Sequence, residues 1–164
     1  MIIGVISDTH RNRGAVDRAF QFFQEKGAKL VFCLGDVCQD VRDRDIEYDM
    51  EVVCVAGNMD FSSPFPTQRV HEVDGIRFLL THGHTFAVHY SHRHLIEEAK
   101  QNQCQVALYG HTHVPFNAQE HGILMLNPGS ASEPRGGSKA AVAIIDTRTG
   151  KAEAQVFWLE DIKV

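Results

Sequence analysis

Five short apolar runs, rich in β-branched residues and bounded by glycine, form the main pattern of this 164-residue sequence. They cover 2–6, 30–34, 52–56, 76–80 and 106–109. Runs of this length and composition predict β-strands that are buried on both faces. Side chains that bind metals follow them closely, namely Asp8, His10, Asp36, Asn58, His82, His111 and His113. Because open α/β sheets place their chemistry at the carboxyl ends of such strands, the pattern predicts a metal site at one sheet edge.

The rest of the pattern predicts helices outside the strands, and hairpins in the second half. Apolar residues at 16, 19, 20 and 23 follow the spacing of an amphipathic helix, predicted over 14–26 and ended by Gly27. Residues 95–101 are interpreted as the end of another helix. Asp74-Gly75 favours a type I′ turn between strands at 68–73 and 76–81. Two similar hairpins are predicted, from 114–119 to 123–126 and from 140–146 to 152–159.

Parallel strand–helix units followed by antiparallel hairpins indicate two sheets packed face to face. We therefore predict an α/β fold, a four-layer α/β/β/α sandwich in which helices flank two mixed sheets. The mixed-sign charged segment 40–51 is interpreted as a solvated surface. Because no linker or internal repeat interrupts the sequence, one domain over residues 1–164 is expected.

Composition narrows the classes of function. The chain has 43% hydrophobic and 23% charged residues, a formal charge of −5 and a pI near 6.0. Without a Lys/Arg cluster, this balance argues against binding of duplex nucleic acid through its phosphates. No apolar stretch suits a membrane span and no export signal is visible, so a cytoplasmic protein is expected. Cysteines 33, 38, 54 and 104 are interpreted as reduced, mostly buried thiols.

The ligand types indicate the chemistry of the predicted metal site. Asp8 and His10 are two residues apart, as are His111 and His113, and in extended chain this spacing directs both side chains to one face. Carboxylate, amide and imidazole donors suit Mn, Fe, Zn, Co or Ni. Asp36 could bridge two cations, and two dications with two carboxylates leave a charge of about +2, which attracts phosphate. Paired metals roughly 3.5–4 Å apart recur in phosphoester hydrolysis.

Five motifs, taken in order, resemble those of calcineurin-like metallophosphoesterases. They are Asp8-Thr9-His10, Gly35-Asp36, Gly57-Asn58, Thr81-His82-Gly83-His84 and Gly110-His111-Thr112-His113. The resemblance runs from Met1 to about Trp158 and is strongest to the small prokaryotic YfcE-type phosphodiesterase subgroup, including Asn127-Pro128-Gly129-Ser130. It implies the double-sheet sandwich and a reaction in which metal-activated hydroxide attacks phosphorus in line with the leaving group.

The resemblance also implies roles for individual residues. The ligands of one metal would be Asp8, His10, Asp36 and His113, and those of the other Asp36, Asn58, His82 and His111. The expected catalytic residues are Asp36, Asn58 and His82. The expected cofactors are two divalent ions, manganese first, with nickel, cobalt, zinc or iron as alternatives. Candidates for contacting the substrate or supporting the ligands are Asn12, Asp60 and His84.

Other polar residues near the motifs have plainer interpretations. Asn12 fits a helix N-cap before it fits a contact in the site. Asn127-Pro128-Gly129 is interpreted as a turn that supports the last histidine pair. The histidines of the following loop and helix are interpreted as surface or pocket-rim residues; they are His89, His92 and His94.

At one position this sequence differs from the larger nucleases of the family. They carry a histidine after Gly-Asn, which serves as a proton donor. Here the residue is Met59, which transfers no proton. The expected function is a phosphodiesterase acting on a small phosphodiester. The alternatives are a metal-binding scaffold of the retromer-subunit type, which the complete ligand set disfavours, and a nuclease, which Met59 and the negative charge disfavour. The sequence leaves the substrate open, and Phe61, Phe65, Phe86 and Tyr90 fit either a pocket or the interface of a homo-oligomer.

Overall fold

Two five-stranded mixed sheets dominate the computed structural model, which describes residues 1–163. The strands are β1 (Ile2–Ile6), β2 (Leu30–Cys33), β3 (Glu51–Cys54), β4 (Gln68–Val73), β5 (Ile76–Thr81), β6 (Val106–Leu108), β7 (Phe116–Glu120), β8 (Ile123–Asn127), β9 (Ala141–Asp146) and β10 (Glu153–Trp158). The first sheet has the order β10-β9-β1-β2-β3 and the second the order β4-β5-β6-β8-β7.

Each sheet contains three neighbouring parallel strands, and five of these six strands lead to the candidate ligands. In the first sheet β1, β2 and β3 run parallel, with β9 and β10 added antiparallel at one side. In the second sheet β5, β6 and β8 run parallel, with β4 and β7 antiparallel at the edges. The loops after β1, β2 and β3 therefore leave one edge of the first sheet side by side.

Helices cover the outer face of each sheet. Helix α1 (Arg13–Glu25) buries Val16, Phe20 and Phe23 against the first sheet. Helix α2 (Arg44–Tyr48) is a short connection, and α3 (Arg93–Gln101) packs through Leu95 and its neighbours on the second sheet. The predicted α/β/β/α order of layers is confirmed. None of the helices within residues 1–163 has the length and apolar character that a membrane crossing requires.

The core between the sheets holds the strand ends in place. Phe32 of the first sheet and Phe78 of the second are fully buried, and their ring centroids lie 5.5 Å apart. Leu34 and Leu80 extend the same apolar layer towards the ligand-bearing loops. Burial of each such side chain contributes about 1.5–3 kcal/mol. The loops that follow thus start from a rigid, close-packed base.

Several predicted boundaries shift slightly. Helix α1 covers 13–25 instead of 14–26, since Asn12 caps it and Gly27, with φ of 75°, ends it. Strand β7 begins at Phe116 instead of residue 114 because Val114 is held in a turn by the Thr112 hydroxyl. The three antiparallel hairpins, β4–β5, β7–β8 and β9–β10, otherwise lie where the sequence predicts them.

The charged segment 40–51 is less solvated than predicted. Val41 and Met50 are buried in the core beneath α1. Arg44 is largely covered and pairs with Asp17 of α1 and with Glu47. The segment therefore packs against α1 through its apolar residues, while its other charges face water.

Candidate metal centre

The loops after the central strands of both sheets meet at one edge of the molecule. The Asp8 N–H donates to the Gly35 carbonyl at 3.0 Å, which joins the loops after β1 and β2. The Gly110 N–H donates to the His82 carbonyl at 2.9 Å, which joins the loops after β6 and β5. The His111 N–H reaches the Asp8 carboxylate at 3.1 Å and so connects the two sheets. Hydrogen bonds donated by main-chain N–H groups therefore hold the loops that carry the candidate ligands together, without help from a metal ion.

One group of donors consists of Asp8, His10 and His113. The Asp8 Oδ1 lies 3.1 Å from His113 Nε2 and 3.8 Å from His10 Nε2. The two Nε2 atoms lie 3.2 Å from each other. Two imidazole nitrogens and a carboxylate oxygen that face one another at these distances have the composition of a transition-metal site.

A second group joins Asp8 to Asp36 and His82. The Asp36 Oδ2 lies 3.4 Å from His82 Nε2 and 3.9 Å from His10 Nε2, so it stands between the two groups. The Asn58 Oδ1 lies 3.1 Å from His82 Nε2. The His111 ring flanks this group, with its centroid 5.1 Å from that of His82. The structure thus gathers all seven sequence-derived candidates, and it places Asp8 as well as Asp36 near both groups.

The donor set fits divalent cations. Asp8 is fully buried, and within residues 1–163 its Oδ1 has no hydrogen-bond partner. A buried carboxylate oxygen without a partner costs free energy unless a cation or donor satisfies it. The facing nitrogens of His10 and His113 would likewise be satisfied by one shared cation. We therefore regard these residues as suited to hold metal, with Asp8 and Asp36 supplying the negative charge.

Hydrogen bonds fix how the imidazoles are presented. His82 Nδ1 lies 2.7 Å from the Leu34 carbonyl, and His113 Nδ1 lies 2.6 Å from the Glu133 carbonyl. Because a carbonyl only accepts, Nδ1 of each ring carries the hydrogen and the Nε2 atom is left free for a metal. The Ser7 hydroxyl donates to Asp8 Oδ2 at 2.7 Å and orients that carboxylate.

The charges of the site shift the ionisation of its members. Burial opposes ionisation of Asp8, but the neighbouring imidazoles of His10, His113 and His82 lower its pKa well below the usual range. The nearby Asp8 carboxylate raises the pKa of His10. Burial opposes protonation of His82, yet its interactions with Asp36 and Asp8 raise its pKa. Burial and the neighbouring His82 lower the pKa of His111 to about 4.

These shifts predict that cation binding depends on pH. His10 and His82 have pKa values raised above about 6.5, and both must lose a proton before they bind a metal. We expect divalent-metal affinity to fall by up to about tenfold per pH unit for each of the two histidines as pH drops below their raised pKa values. Calorimetry of Mn²⁺ binding in buffers of different ionisation enthalpy measures the protons released.

His82→Asn should reduce that proton release, whereas replacement of the exposed His94 by glutamine should not change it. Affinity that is independent of pH, without proton release, would show that these histidines do not bind the metal. The lowered pKa of His111 means that this residue is neutral over the same range and contributes no proton.

Asp60 holds the backbone beneath the second group. Its carboxylate accepts hydrogen bonds from the N–H groups of Asp36 at 2.9 Å, Cys38 at 2.6 Å and Gly57 at 2.8 Å. Neither oxygen is left without a partner. Asp60 therefore supports the loops after β2 and β3, consistent with its expected supporting role.

Removal of the Asp60 carboxylate should destabilise the protein. Asp60→Ala leaves three N–H groups without their acceptor, and we expect the free energy of unfolding to fall by about 3 kcal/mol. Urea denaturation of the metal-free protein measures this change. Asp60→Asn should lose less, and Asp161→Ala, at an exposed carboxylate, should lose almost nothing. An Asp60→Ala variant as stable as the parent would rule out the supporting role.

The ligand pairs converge for a different reason than the sequence suggested. Asp8 and His10 have φ angles of 54° and 43°, and His111 and His113 have φ angles of 69° and 59°. These residues lie in the left-handed region instead of in extended chain, so turns bring the side chains together. Left-handed conformations cost non-glycine residues free energy and persist where surrounding contacts impose them.

Two glycines permit the close approach of these loops. A Cβ atom at Gly57 would lie 2.1 Å from Asp36 Oδ1, and one at Gly110 would lie 2.0 Å from Ser7 Oγ. Both distances are far below van der Waals contact. The glycines in the Gly-Asn and Gly-His motifs are therefore required by the packing of the neighbouring loop.

The remaining candidates take different places. Asn12 lies at the start of α1, where its Oδ1 accepts the Ala15 N–H at 3.0 Å as a helix cap. The His84 ring lies 5.5 Å from that of His82, and its buried Nδ1 has no partner within residues 1–163. Burial and the charge of His82 lower the pKa of His84, so that it is neutral near pH 7. Of the two, His84 lies at the site.

The histidines between β5 and α3 differ in their surroundings. His89 is exposed and stacks edge-on against His111 with centroids 4.6 Å apart, which agrees with a rim position. His92 is half-buried and lines a separate surface pocket, so it is more enclosed than a freely exposed residue. It links Tyr109 to Glu120 through two hydrogen bonds of 2.7 Å, one at each ring nitrogen. His92 thus ties the loop after β5 to strand β7 and to the end of β6.

Supporting residues that the sequence did not reveal surround the ligands. Ser130 and Ser132 donate their hydroxyls to the Asp8 carbonyl at 2.7 and 3.3 Å. Ser130 belongs to the Asn127-Pro128-Gly129-Ser130 motif, whereas no sequence motif signals the roles of Ser7 and Ser132. Asn127 does act as the expected turn-shaping residue, since its Nδ2 donates to the Gly110 carbonyl at 3.0 Å.

Comparison with known proteins identifies the family. The profile of the calcineurin-like phosphoesterase superfamily domain matches residues 1–150. The chain belongs to this superfamily. Phosphodiesterase YfcE of Escherichia coli K12 is 32% identical in an alignment that covers 85% of this chain and 84% of YfcE. The predicted family, a superfamily of hydrolases, and the likeness to YfcE are thereby confirmed.

Solved structures of calcineurin-like proteins agree with the fold. A conserved Streptococcus pneumoniae TIGR4 protein described as a predicted phosphoesterase has a TM-score of 0.81 at 30% identity, covering 97% of this chain and 90% of its own. Vps29 of Entamoeba histolytica, solved in complex with zinc, has a TM-score of 0.73 at 21% identity, covering 97% and 99%. At that identity the Vps29 likeness concerns the calcineurin-like fold alone.

Proposed function

We propose that this calcineurin-like protein is a phosphodiesterase that uses two divalent metal ions and acts on small phosphodiesters. The observation that carries the proposal is the convergence of carboxylate, amide and imidazole donors from both sheets, with a buried, unpartnered Asp8 oxygen among them. The 32% sequence identity to phosphodiesterase YfcE supports hydrolysis of phosphodiesters as the reaction. Manganese is the proposed ion, with nickel, cobalt, zinc and iron as alternatives that this donor set also suits.

The proposed ligand assignment follows the two donor groups. Asp8, His10 and His113 would hold one ion, and Asn58, His82 and His111 the other, with Asp36 shared between them. Two cations so bound would supply activation of water and neutralisation of phosphate charge. Asp36, Asn58 and His82 are the proposed catalytic residues, as the family resemblance implies.

The protein's own side chains position the phosphate and handle protons around it. His84 is neutral near pH 7 and lies beside His82, so it is suited to donate an N–H to a phosphate oxygen. Met59 has no proton to give to the leaving oxygen. Departure of the leaving group therefore depends on the acidity of that group itself.

The central test of this proposal combines metal analysis with a substrate screen. The purified protein should bind about two metals per chain, and added Mn²⁺ should support hydrolysis of bis(p-nitrophenyl) phosphate. Ni²⁺, Co²⁺, Zn²⁺ and Mg²⁺ in parallel identify the preferred ion. A protein that binds metal but hydrolyses no member of a broad phosphoester panel would instead support the scaffold alternative.

Two further expectations accompany the proposed activity. We propose that residues 1–164 act as one domain, which is supported by the single apolar layer shared by the two sheets, although Val164 lies outside the described residues. We also propose a cytoplasmic location, because all four cysteines are free and buried, as in a reducing compartment. The formal charge of −5 supports small substrates over duplex nucleic acid.

A further inference from the structure

A cavity of about 440 Å³ opens beside the candidate metal centre. Its lining includes Arg11, Val37 and Met59, which directly follow the proposed ligands His10, Asp36 and Asn58 in the sequence. The cavity thus begins one residue from three of the ligands. Its volume lies within the range of about 300–1,000 Å³ that is usual for small-molecule sites.

One wall of the cavity is apolar and projects into water. Phe61 is 81% exposed, Met59 45% and Phe65 39%, so none of these side chains serves the core. The segment that carries them is held in place: Ser63 N–H donates to the Asp60 carbonyl at 3.2 Å, and Phe65 N–H donates to the Ser63 hydroxyl at 3.2 Å. Exposed apolar side chains that cluster on one ordered segment form a candidate binding surface.

The cavity wall also carries two guanidinium groups. Arg11 and Arg42 line it, and neither forms a salt bridge with another residue in the described range 1–163. Asp60, the acid in the lining, is occupied by three backbone N–H groups. Asp40 nearby is engaged by the Thr9 hydroxyl and the Arg11 N–H. Both carboxylates keep their negative charge, but within residues 1–163 neither is paired with the guanidinium group of Arg11 or Arg42, so these two groups can contact an anion.

We propose that this cavity binds one ester substituent of the phosphorus, and that this substituent is an aromatic ring bearing a negative charge of its own. Phe61 and Phe65 provide the stacking surface, and Arg11 and Arg42 pair with the anion. The inference rests on the proposed phosphodiesterase function, because the metal centre would anchor the phosphate. It adds the chemical class of the group that the enzyme selects.

Three phosphate monoesters test the proposal because each has a single substituent. Methyl phosphate, phenyl phosphate and 4-carboxyphenyl phosphate are titrated into the Mn²⁺-loaded protein by calorimetry. We expect phenyl phosphate to bind about tenfold more tightly than methyl phosphate, and the carboxylate to add about another tenfold. Equal affinity for all three, or no binding of any, would overturn the proposal.

Matched variants locate the effect. Phe61→Ala should remove most of the phenyl gain, and Arg42→Gln, alone and combined with Arg11→Gln, should remove the carboxylate gain. Methyl phosphate affinity and metal content should stay unchanged in all of them. Tyr90→Ala and Arg93→Gln, which alter an exposed ring and an exposed cation outside the cavity lining, should change none of the affinities.

Losses of the same size in the control variants would also overturn the proposal. Failure of the underlying function has a separate signature, since it appears as absence of metal-dependent hydrolysis of methyl p-nitrophenyl phosphate. An enzyme that hydrolyses this diester yet shows no preference among the three monoesters would retain the proposed function and lose only the cavity assignment.

Discussion

Replacement of Asp36 by asparagine is expected to deplete both metal sites and to lower phosphodiester hydrolysis by more than about 100-fold. Loss of a residue that merely supports a ligand typically costs about 10–100-fold in metal affinity or activity, so loss of a shared ligand should exceed that range. The structure supports the sharing, because Asp36 Oδ2 lies 3.4 Å from His82 Nε2 and 3.9 Å from His10 Nε2, one in each donor group.

The metal content per chain measures this expectation directly. Asn58→Ala should mainly deplete one ion, because Asn58 contacts only the His82 group. Asp45→Asn, at an exposed acid of α2, serves as the matched control and should retain both ions. An Asp36→Asn protein with two full metal sites would contradict the shared position, provided that its circular dichroism matches that of the parent.

The second large effect concerns the leaving group. A positioned general acid contributes typically about 10²–10⁴-fold, and Met59 occupies the place where the larger nucleases carry one. We expect hydrolysis to depend steeply on leaving-group acidity, so that aryl diesters react faster than alkyl diesters by a ratio larger than their intrinsic reactivities predict. A series of phosphodiesters with graded leaving-group pKa measures the slope.

The structure also predicts the outcome of installing the missing acid. A histidine at position 59 needs a neighbour to orient its ring, but both Asp60 oxygens already accept backbone N–H groups. Met59→His alone should therefore leave the slope nearly unchanged, and Met59→Leu is the control for the change of side chain. A shallow slope in the parent would assign the proton to another group, with His84 as the nearest candidate.

Much of the fold was predictable because its signals are local. The strands leading to Asp8, Asp36 and Asn58 are continuous apolar runs. Such a run is enough to predict a strand that is buried on both faces. The Asp74-Gly75 turn fixed the β4–β5 hairpin to the residue. The α/β/β/α order of layers was predictable because helices connect the strands in the first half of the sequence and hairpins connect them in the second half.

Features that depend on distant contacts were not predictable. The roles of the Leu34 and Glu133 carbonyls in orienting His82 and His113 carry no side-chain signal at all. His92 looked like a loop residue because its partners, Tyr109 and Glu120, are 17 and 28 residues away. Sequence spacing also suggested extended ligand pairs, whereas tertiary packing imposes left-handed turns.

The close approach at Gly57 and Gly110 has a consequence for how natural and laboratory variation in this protein is interpreted. Since a single methyl group at either position would collide with a neighbouring loop, both glycines should be nearly as intolerant of mutation as the ligands that follow them. A saturation-mutagenesis map scored by activity alone would mark them as functional, although neither carries a side chain that could bind or react. Comparison of such a map with one scored by protein abundance would separate residues that bind metal or substrate from residues that are needed for packing.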